Sequence, residues 1–370
     1  MTEHRVQTAQ GLPLTPNSQA ETDAARRALT MSRLVGNGMD HDDAALLHDR
    51  AESGVRWIDA AEAIGEAKLK IAEDAFVQGR LVSARTHFWH AAAAFRFAQS
   101  ALVADDARKV ATYRRSLDAF TRAAGLAAPP YAKVAIPFDG GELFGWLMTP
   151  SGVHHPPSVI IFGGADGCRE EYHGGGLALA ERGVATLLLD GPGQGETRIL
   201  GGLYLRPGIE RAFSAAVSFL LADDRVGARV GIWGNSLGGC FAARTASADS
   251  RLAACCVTGG TWMPMEILTR FPRFIDRIRA MTGEADADRA RAILHAHTLN
   301  RGDNRIGCPL LVLHGTADQL FSPERAVELA AWTPSTDSQV ILWEGGDHCV
   351  YNHSEEKHCV ATDWFAERLT

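Results

Sequence analysis

Nowhere in the 370 residues is there an apolar run near the roughly 20 residues that a membrane-spanning helix needs. Lys/Arg runs are also missing, and the formal net charge is −7. A nucleic acid or an anionic membrane surface is therefore not an expected partner. The seven cysteines are an odd number and contain no C-x-x-C pair, which argues against a disulfide framework and for reduced thiols. The adjacent Cys255 and Cys256 lie in an apolar, strand-like run and read as core filler. The opening residues, Met1-Thr-Glu-His-Arg-Val-Gln7, lack the charged-then-apolar layout of a signal peptide, so a cytoplasmic location is expected. The 46% apolar and 22% charged fractions are those of an ordinary globular protein, and the length suggests two parts.

Residues 1–20 are polar, carry Pro13 and Pro16, and read as a flexible arm. From 21 to 130 the chain is Ala-rich, nearly free of proline until Pro129-Pro130, and helical in period. Trp57, Ala61 and Ile64 share one helix face; Leu81, Ala84, Phe88, Ala91 and Phe95 share another; Val110, Tyr113, Leu117 and Phe120 form a third. Gly54, Gly79 and Asp105-Asp106 punctuate them, giving an all-α region of four or five helices.

The texture changes after residue 131. Val134–Phe138, the turn Asp139-Gly140-Gly141 and Leu143–Met148 make a hairpin. Apolar runs at Val159–Phe162, Ala185–Leu189, Val230–Trp233, Ala253–Val257, Leu310–Leu313 and Val340–Trp343 then alternate with helical segments. Continuous apolar strands alternating with helices predict an α/β domain over 131–370, with a mostly parallel sheet covered on both faces. Residues 261–299 interrupt the alternation with helical sequence and predict a lid insertion.

Val230 to Trp233 runs into Gly234-Asn-Ser236-Leu-Gly238, followed by small, helix-compatible residues. This is the strand–turn–helix context of a nucleophile elbow, with Ser236 as the candidate nucleophile. A serine hydroxyl needs a base, and the base needs a group that fixes its tautomer. Leu310 to Asp318 is a strand running into an acidic loop, and Val340 to His348 is the last strand running into Gly345-Gly346. Asp318 is thus the candidate orienting acid and His348 the candidate base, in the order Ser, Asp, His. Asp347 is the rival acid, but a neighbour in sequence rarely points back at the ring. The oxyanion hole should use the N–H of Leu237 and a second donor from Gly163-Gly164-Ala165, with Ala165 favoured over Gly164.

Together, Asp190-Gly-Pro-Gly-Gln-Gly-Glu196, Gly234-Asn-Ser-Leu-Gly-Gly239, Arg251-Leu-Ala-Ala-Cys255 before Gly259-Gly260, and Gly346-Asp-His-Cys349 with Asn352 resemble one branch of the α/β hydrolases. It is the FrsA-like branch, which includes bacterial dihydroxypseudo-oxynicotine hydrolase and fungal polyketide-shortening hydrolases. By motif the resemblance covers about residues 131–368. It implies an α/β-hydrolase fold under an N-terminal helical cap and the triad Ser236, Asp318 and His348. It also implies hydrolysis of a C–C bond beside a ketone, or of an ester. A family acidic residue would fall near Glu266, where a second acid could protonate a carbon leaving group; the alternative is that Glu266 caps or solvates the lid helix.

Other motifs have plainer readings. Asp190-Gly-Pro-Gly-Gln-Gly lacks the Lys-Ser/Thr of a phosphate loop and reads as a backbone turn at the pocket rim. His87 and His90 have no matching ligand pair and read as polar residues near the cap interface, while His295 and His297 read as surface or lid residues. The expected substrate is a small ketone, 1,3-dicarbonyl or ester. No metal or cofactor is expected, and a homodimer is left open. An acyltransferase that uses the same acyl-serine, and a non-catalytic ligand-binding fold, are the alternatives.

Overall fold

The computed structural model describes residues 18–165, 167–334 and 337–370. Most of the expected arm lies outside the described residues, and its end is corrected: a helix already begins at Ser18. Among the described residues the N-terminal region holds six helices where four or five are expected: α1 (Ser18–Ala28), α2 (Met31–Gly36), α3 (His41–Glu52), α4 (Trp57–Val77), α5 (Leu81–Gln99) and α6 (Ala107–Gly125). α2 has only six residues, too few to show a period. α2 and α3 start at Thr30 and Asp40, whose side chains accept the free amides of Arg33 and Asp42 and so set where each helix begins.

The remainder forms an eight-stranded sheet. Its strands are β1 (Tyr131–Phe138), β2 (Gly141–Met148), β3 (Ser158–Phe162), β4 (Ala185–Leu189), β5 (Val230–Asn235), β6 (Leu252–Thr258), β7 (Leu310–Gly315) and β8 (Ser338–Trp343). Their spatial order is β1-β2-β4-β3-β5-β6-β7-β8. β2 pairs antiparallel with β1 and β4, and every other pairing is parallel. The helices are α7 (His173–Ala180), α8 (Gly195–Ile199), α9 (Glu210–Leu221), α10 (Leu237–Ala248), α11 (Glu266–Arg270), α12 (Ile275–Thr282), α13 (Ala287–His295), α14 (Pro323–Ala331) and α15 (Ser354–Leu369).

Alternate strand residues feed two separate cores, as the two-residue period requires. Ile160, Phe162, Leu187, Ile232, Val257 and Val312 pack under α9, α10 and the inserted helices. Val159, Ile161, Leu188, Trp233, Cys256 and Leu311 pack under α15 on the opposite face. Cys255 and Cys256 fall on opposite faces, both fully buried, as core filler.

The helical region shares that second core. Phe95, Phe120 and Ala124 lie in one cluster with Tyr131, Trp146 and Met148. Phe120 stands 5.4 Å from Trp146 and 5.9 Å from Tyr131, ring centre to ring centre. Each such aromatic loses roughly 3–5 kcal/mol when truncated in a core. A chain begun at residue 131 is therefore expected to expose this face and to aggregate or lose activity. A soluble fragment with full activity would contradict the shared core.

The insertion starts and ends at one place, since the Leu299 N–H donates to the Trp262 carbonyl at 2.9 Å. Within it, Arg277 on α12 donates to the Ser100 carbonyl at the end of α5. The inserted helices thus touch the helical region.

Candidate active site

β5 runs straight into Ser236, whose backbone has φ 59° and ψ −130°, a conformation rarely held by a residue with a side chain. The Ser236 N–H is tied to the Thr258 carbonyl of β6 at 2.8 Å, which holds the strained turn in register. Glycine is required at 238, because a Cβ there would collide with the Gly163 carbonyl oxygen. The half-buried serine hydroxyl is left facing the ends of the strands.

The structure brings the three sequence candidates together. Ser236 Oγ lies 2.8 Å from His348 Nε2, and His348 Nδ1 lies 2.8 Å from Asp318 Oδ2. The loops carrying the acid and the ring are laced by backbone. Ala317 N–H donates to the Gly346 carbonyl at 2.9 Å, and Gly345 N–H to Thr316 Oγ1 at 2.8 Å. Asp347, the rival acid, is occupied elsewhere: it and Asn352 exchange side-chain and backbone hydrogen bonds across the His348 turn.

Asp318 is buried, and its other oxygen accepts the amides of Leu320 (2.7 Å) and Phe321 (3.2 Å). Burial works against its charge, but His348, His314 and these amides outweigh it and hold the carboxyl below its usual range. At the His348 ring, burial disfavours the cation. The adjoining Cys349 and the Asp318 carboxylate overcome that and hold the ring above the ordinary histidine range.

Three neighbours of these side chains were not among the sequence candidates. His314, fully buried at the end of β7, bonds the Phe321 carbonyl and stands 3.4 Å from Asp318 Oδ2. Cys349 Sγ lies 3.5 Å from His348 Nε2. Cys349 and Val350 both have φ near +55°, and the buried Lys357 ammonium grips the Cys349 carbonyl at 2.9 Å. The i, i+4 spacing of His314 and Asp318 was a usable hint for the first. The other two depend on a turn that no sequence pattern announces.

Leu237 begins α10, so its N–H is one of the donors that a helix start leaves free. Gly164 is packed against this point: a Cβ on it would stand 2.7 Å from both Leu237 N and Ser236 Cβ. Ala165 is the next residue, half-buried on the same loop.

Glu266 is placed differently from an acid aimed at a leaving group. Its carboxylate accepts the Ser322 N–H at 2.8 Å and the Thr261 hydroxyl at 3.3 Å, and it pairs with Arg270 at 3.1 Å. These bonds fasten the start of the insertion to the loop before α14, and the side chain makes no capping bond to α11.

His297 lies within the insertion, where it is fully buried and bonds the Ile293 and Arg206 carbonyls, while His295 is exposed. Asp190 does more than bond nearby amides. It accepts the N–H groups of Arg169 (2.8 Å) and Glu196 (2.9 Å), and pairs at 2.7 Å with the Arg169 guanidinium. Arg169, fully buried, also pairs with Glu170 and Glu196, a cluster that ties the loop after β3 to the turn after β4. His87 and His90 stand 6.1 Å apart on α5, and among the described residues no group of three His, Cys, Asp or Glu side chains is placed to hold a metal.

The geometry has counterparts in known proteins. Residues 265–355 match the family model described as serine aminopeptidase, S33. The chain is 27% identical to 2,6-dihydropseudooxynicotine hydrolase of Paenarthrobacter nicotinovorans over 92% of both sequences. It is 33% identical to an α/β hydrolase of Penicillium citrinum over 61% of this chain, spanning 55% of that longer protein. The crystal structure of 2,6-dihydroxy-pseudo-oxynicotine hydrolase superposes with a TM-score of 0.83 at 26% identity, covering 92% of this chain and 96% of the other. Sheet order, elbow geometry and likeness over nearly the whole length show an α/β-hydrolase fold and an α/β-hydrolase enzyme similar to these relatives.

Proposed function

We propose that the protein is a serine hydrolase that cleaves a C–C bond adjacent to a ketone, or an ester, through an acyl-Ser236 intermediate. The unbroken line of two 2.8 Å contacts from Ser236 through His348 to Asp318 carries this reading. Ser236 Oγ attacks the substrate carbonyl as its proton passes to His348 Nε2. The carbonyl oxygen gains a negative charge, which the N–H of Leu237 and an amide of the Gly164–Ala165 segment stabilise. The intermediate collapses and expels the leaving group, an enolate from a 1,3-dicarbonyl or an alkoxide from an ester, which takes the proton back from His348. Water, deprotonated by the same nitrogen, then releases the acid from Ser236. Asp318 keeps the proton of the neutral ring on Nδ1 and supports the cation when it forms.

A C–C substrate is favoured by similarity over nearly the whole length to an enzyme named for hydrolysing 2,6-dihydropseudooxynicotine. The roof also supports it. Residues 18–125 and the insertion touch through Arg277 and Ser100, and a cap closed over the site would shield a carbanionic intermediate from stray protonation. Turnover of a 1,3-diketone and of a nitrophenyl ester by the purified protein tests the choice; cleavage of the ester alone would remove the C–C assignment.

The raised His348 value predicts a pH dependence. The base works only when neutral, so activity is lost as pH falls through its pKa. The acid limb of kcat/KM should therefore lie above the ordinary histidine value of about 6.5. In Asp318→Asn the supporting charge is gone, so the limb should move to lower pH. A limb already below the ordinary value in the wild type would contradict the charge assignment.

A further inference from the structure

The turn Gly191-Pro-Gly-Gln194 takes no part in the relay, yet its one long polar side chain is only 1% exposed. Gln194 Nε2 donates to the carbonyls of Gly163 (2.5 Å) and Gly164 (2.9 Å), and its Oε1 accepts the Gly191 N–H at 2.9 Å. Both protons of the amide are thus spent on two successive carbonyls of a single loop. The backbone of the turn is fixed as well. Gln194 N–H reaches the Gly191 carbonyl at 3.0 Å, and Gly195 N–H reaches the Gly167 carbonyl at 3.1 Å.

A trans peptide sets its N–H antiparallel to its C=O. With the Gly163 and Gly164 carbonyls drawn to Gln194, the N–H groups of Gly164 and Ala165 point away from it. The Gly164 α-carbon meanwhile abuts Ser236 and Leu237. We propose that Gln194 is the positioning residue of the oxyanion hole, holding these two carbonyls so that the Gly164 and Ala165 amides face the reacting carbonyl oxygen. This rests on Ser236 being the nucleophile.

The physical need is specific. A loop with glycine at 163, 164 and 167 is free to turn its peptides over, and a turned peptide presents a carbonyl oxygen instead of an N–H. Such an oxygen repels the developing anion that the hole exists to stabilise. Gln194 opposes that rotation at two consecutive peptides while touching neither substrate nor the relay.

Two variants test the assignment. Gln194→Met keeps the length and removes every hydrogen bond, and Gln194→Glu keeps the acceptor and replaces the donors with a carboxylate. The readouts are steady-state kinetics on a nitrophenyl acetate, the rate of Ser236 labelling by a fluorophosphonate, and the affinity of a phenylboronic acid, whose tetrahedral adduct fills the hole. In both variants kcat should fall about 10- to 100-fold. KM should stay within about threefold, because the lost interaction belongs to the transition state. Labelling and boronate affinity should fall in step with kcat. In Gln194→Glu the introduced carboxyl regains one donor when protonated, so the ratio of variant to wild-type kcat should rise as pH is lowered.

Wild-type kcat in either folded variant, or a loss confined to KM, would overturn the proposal. So would failure of both variants to fold, which would assign Gln194 to the scaffold. Ser236→Ala run in parallel separates the two readings. If it is inactive while the Gln194 variants are unimpaired, only the positioning role falls; if it is active, the serine mechanism falls first.

Discussion

Ser236→Ala is expected to lower kcat by about a million-fold while leaving the chain folded. The fold should survive because Ser236 is held through its backbone, by the bond from its N–H to Thr258 and the start of α10, and its half-buried hydroxyl bonds His348. Alanine keeps a Cβ, so the strain at positive φ is unchanged in kind. What disappears is the only atom of that side chain able to form the acyl-enzyme. A fluorophosphonate should label the wild type and not the variant, with the same thermal unfolding midpoint for both. Comparable turnover from the purified variant would sink the nucleophile assignment and every step built on it.

Asp318→Asn is expected to cost on the order of ten-thousand-fold in kcat, as loss of the orienting acid does in the template triad. Asparagine fills the same space, and its carbonyl oxygen can still accept the Leu320 and Phe321 amides. Its NH2 group, however, would face His348 Nδ1, favouring the ring with its proton on Nε2. That is the wrong tautomer for accepting a proton from Ser236. Asp347→Asn should cost far less, because the Asp347 carboxylate accepts the Asn352 amide within the turn and an asparagine oxygen can take its place. Parallel kinetics on the two variants decide between the acids. A larger loss from Asp347→Asn would reverse the assignment.

The elbow was legible because its geometry is local. A strand, a turn with glycine on either side of the serine, and a helix of small residues are all set by neighbours within about ten positions. Asp318 and His348 were legible for the same reason, each lying just past an apolar run at the carboxyl end of a parallel strand. The helical region was only partly so, since α2 spans six residues with one buried side chain, Leu34, and is marked by its Thr30 cap and not by a period. Glu266 shows the limit plainly. Its neighbours Met265 and Ile267 suggested a carboxyl under an apolar lid, but its partner Ser322 is 56 residues away.

The sequence alone therefore determined the succession of strands along the chain, the three side chains that meet as Ser236, His348 and Asp318, and the position of the insertion. Periodicity and turn chemistry act over a few residues and leave their mark in the order of letters. The tertiary structure decided the order of strands in space and the union of the helical region with the sheet through Phe95, Phe120 and Trp146. It also decided the burial of Arg169 among three carboxylates and the grip of Gln194 on the Gly163–Gly164 loop. Apart from the adjacent Arg169–Glu170 pair, these side-chain contacts join groups 21 or more residues apart, in chain segments that meet only on folding. A hydrogen bond or ion pair of that kind depends on distance in space, and no local pattern of residues encodes it.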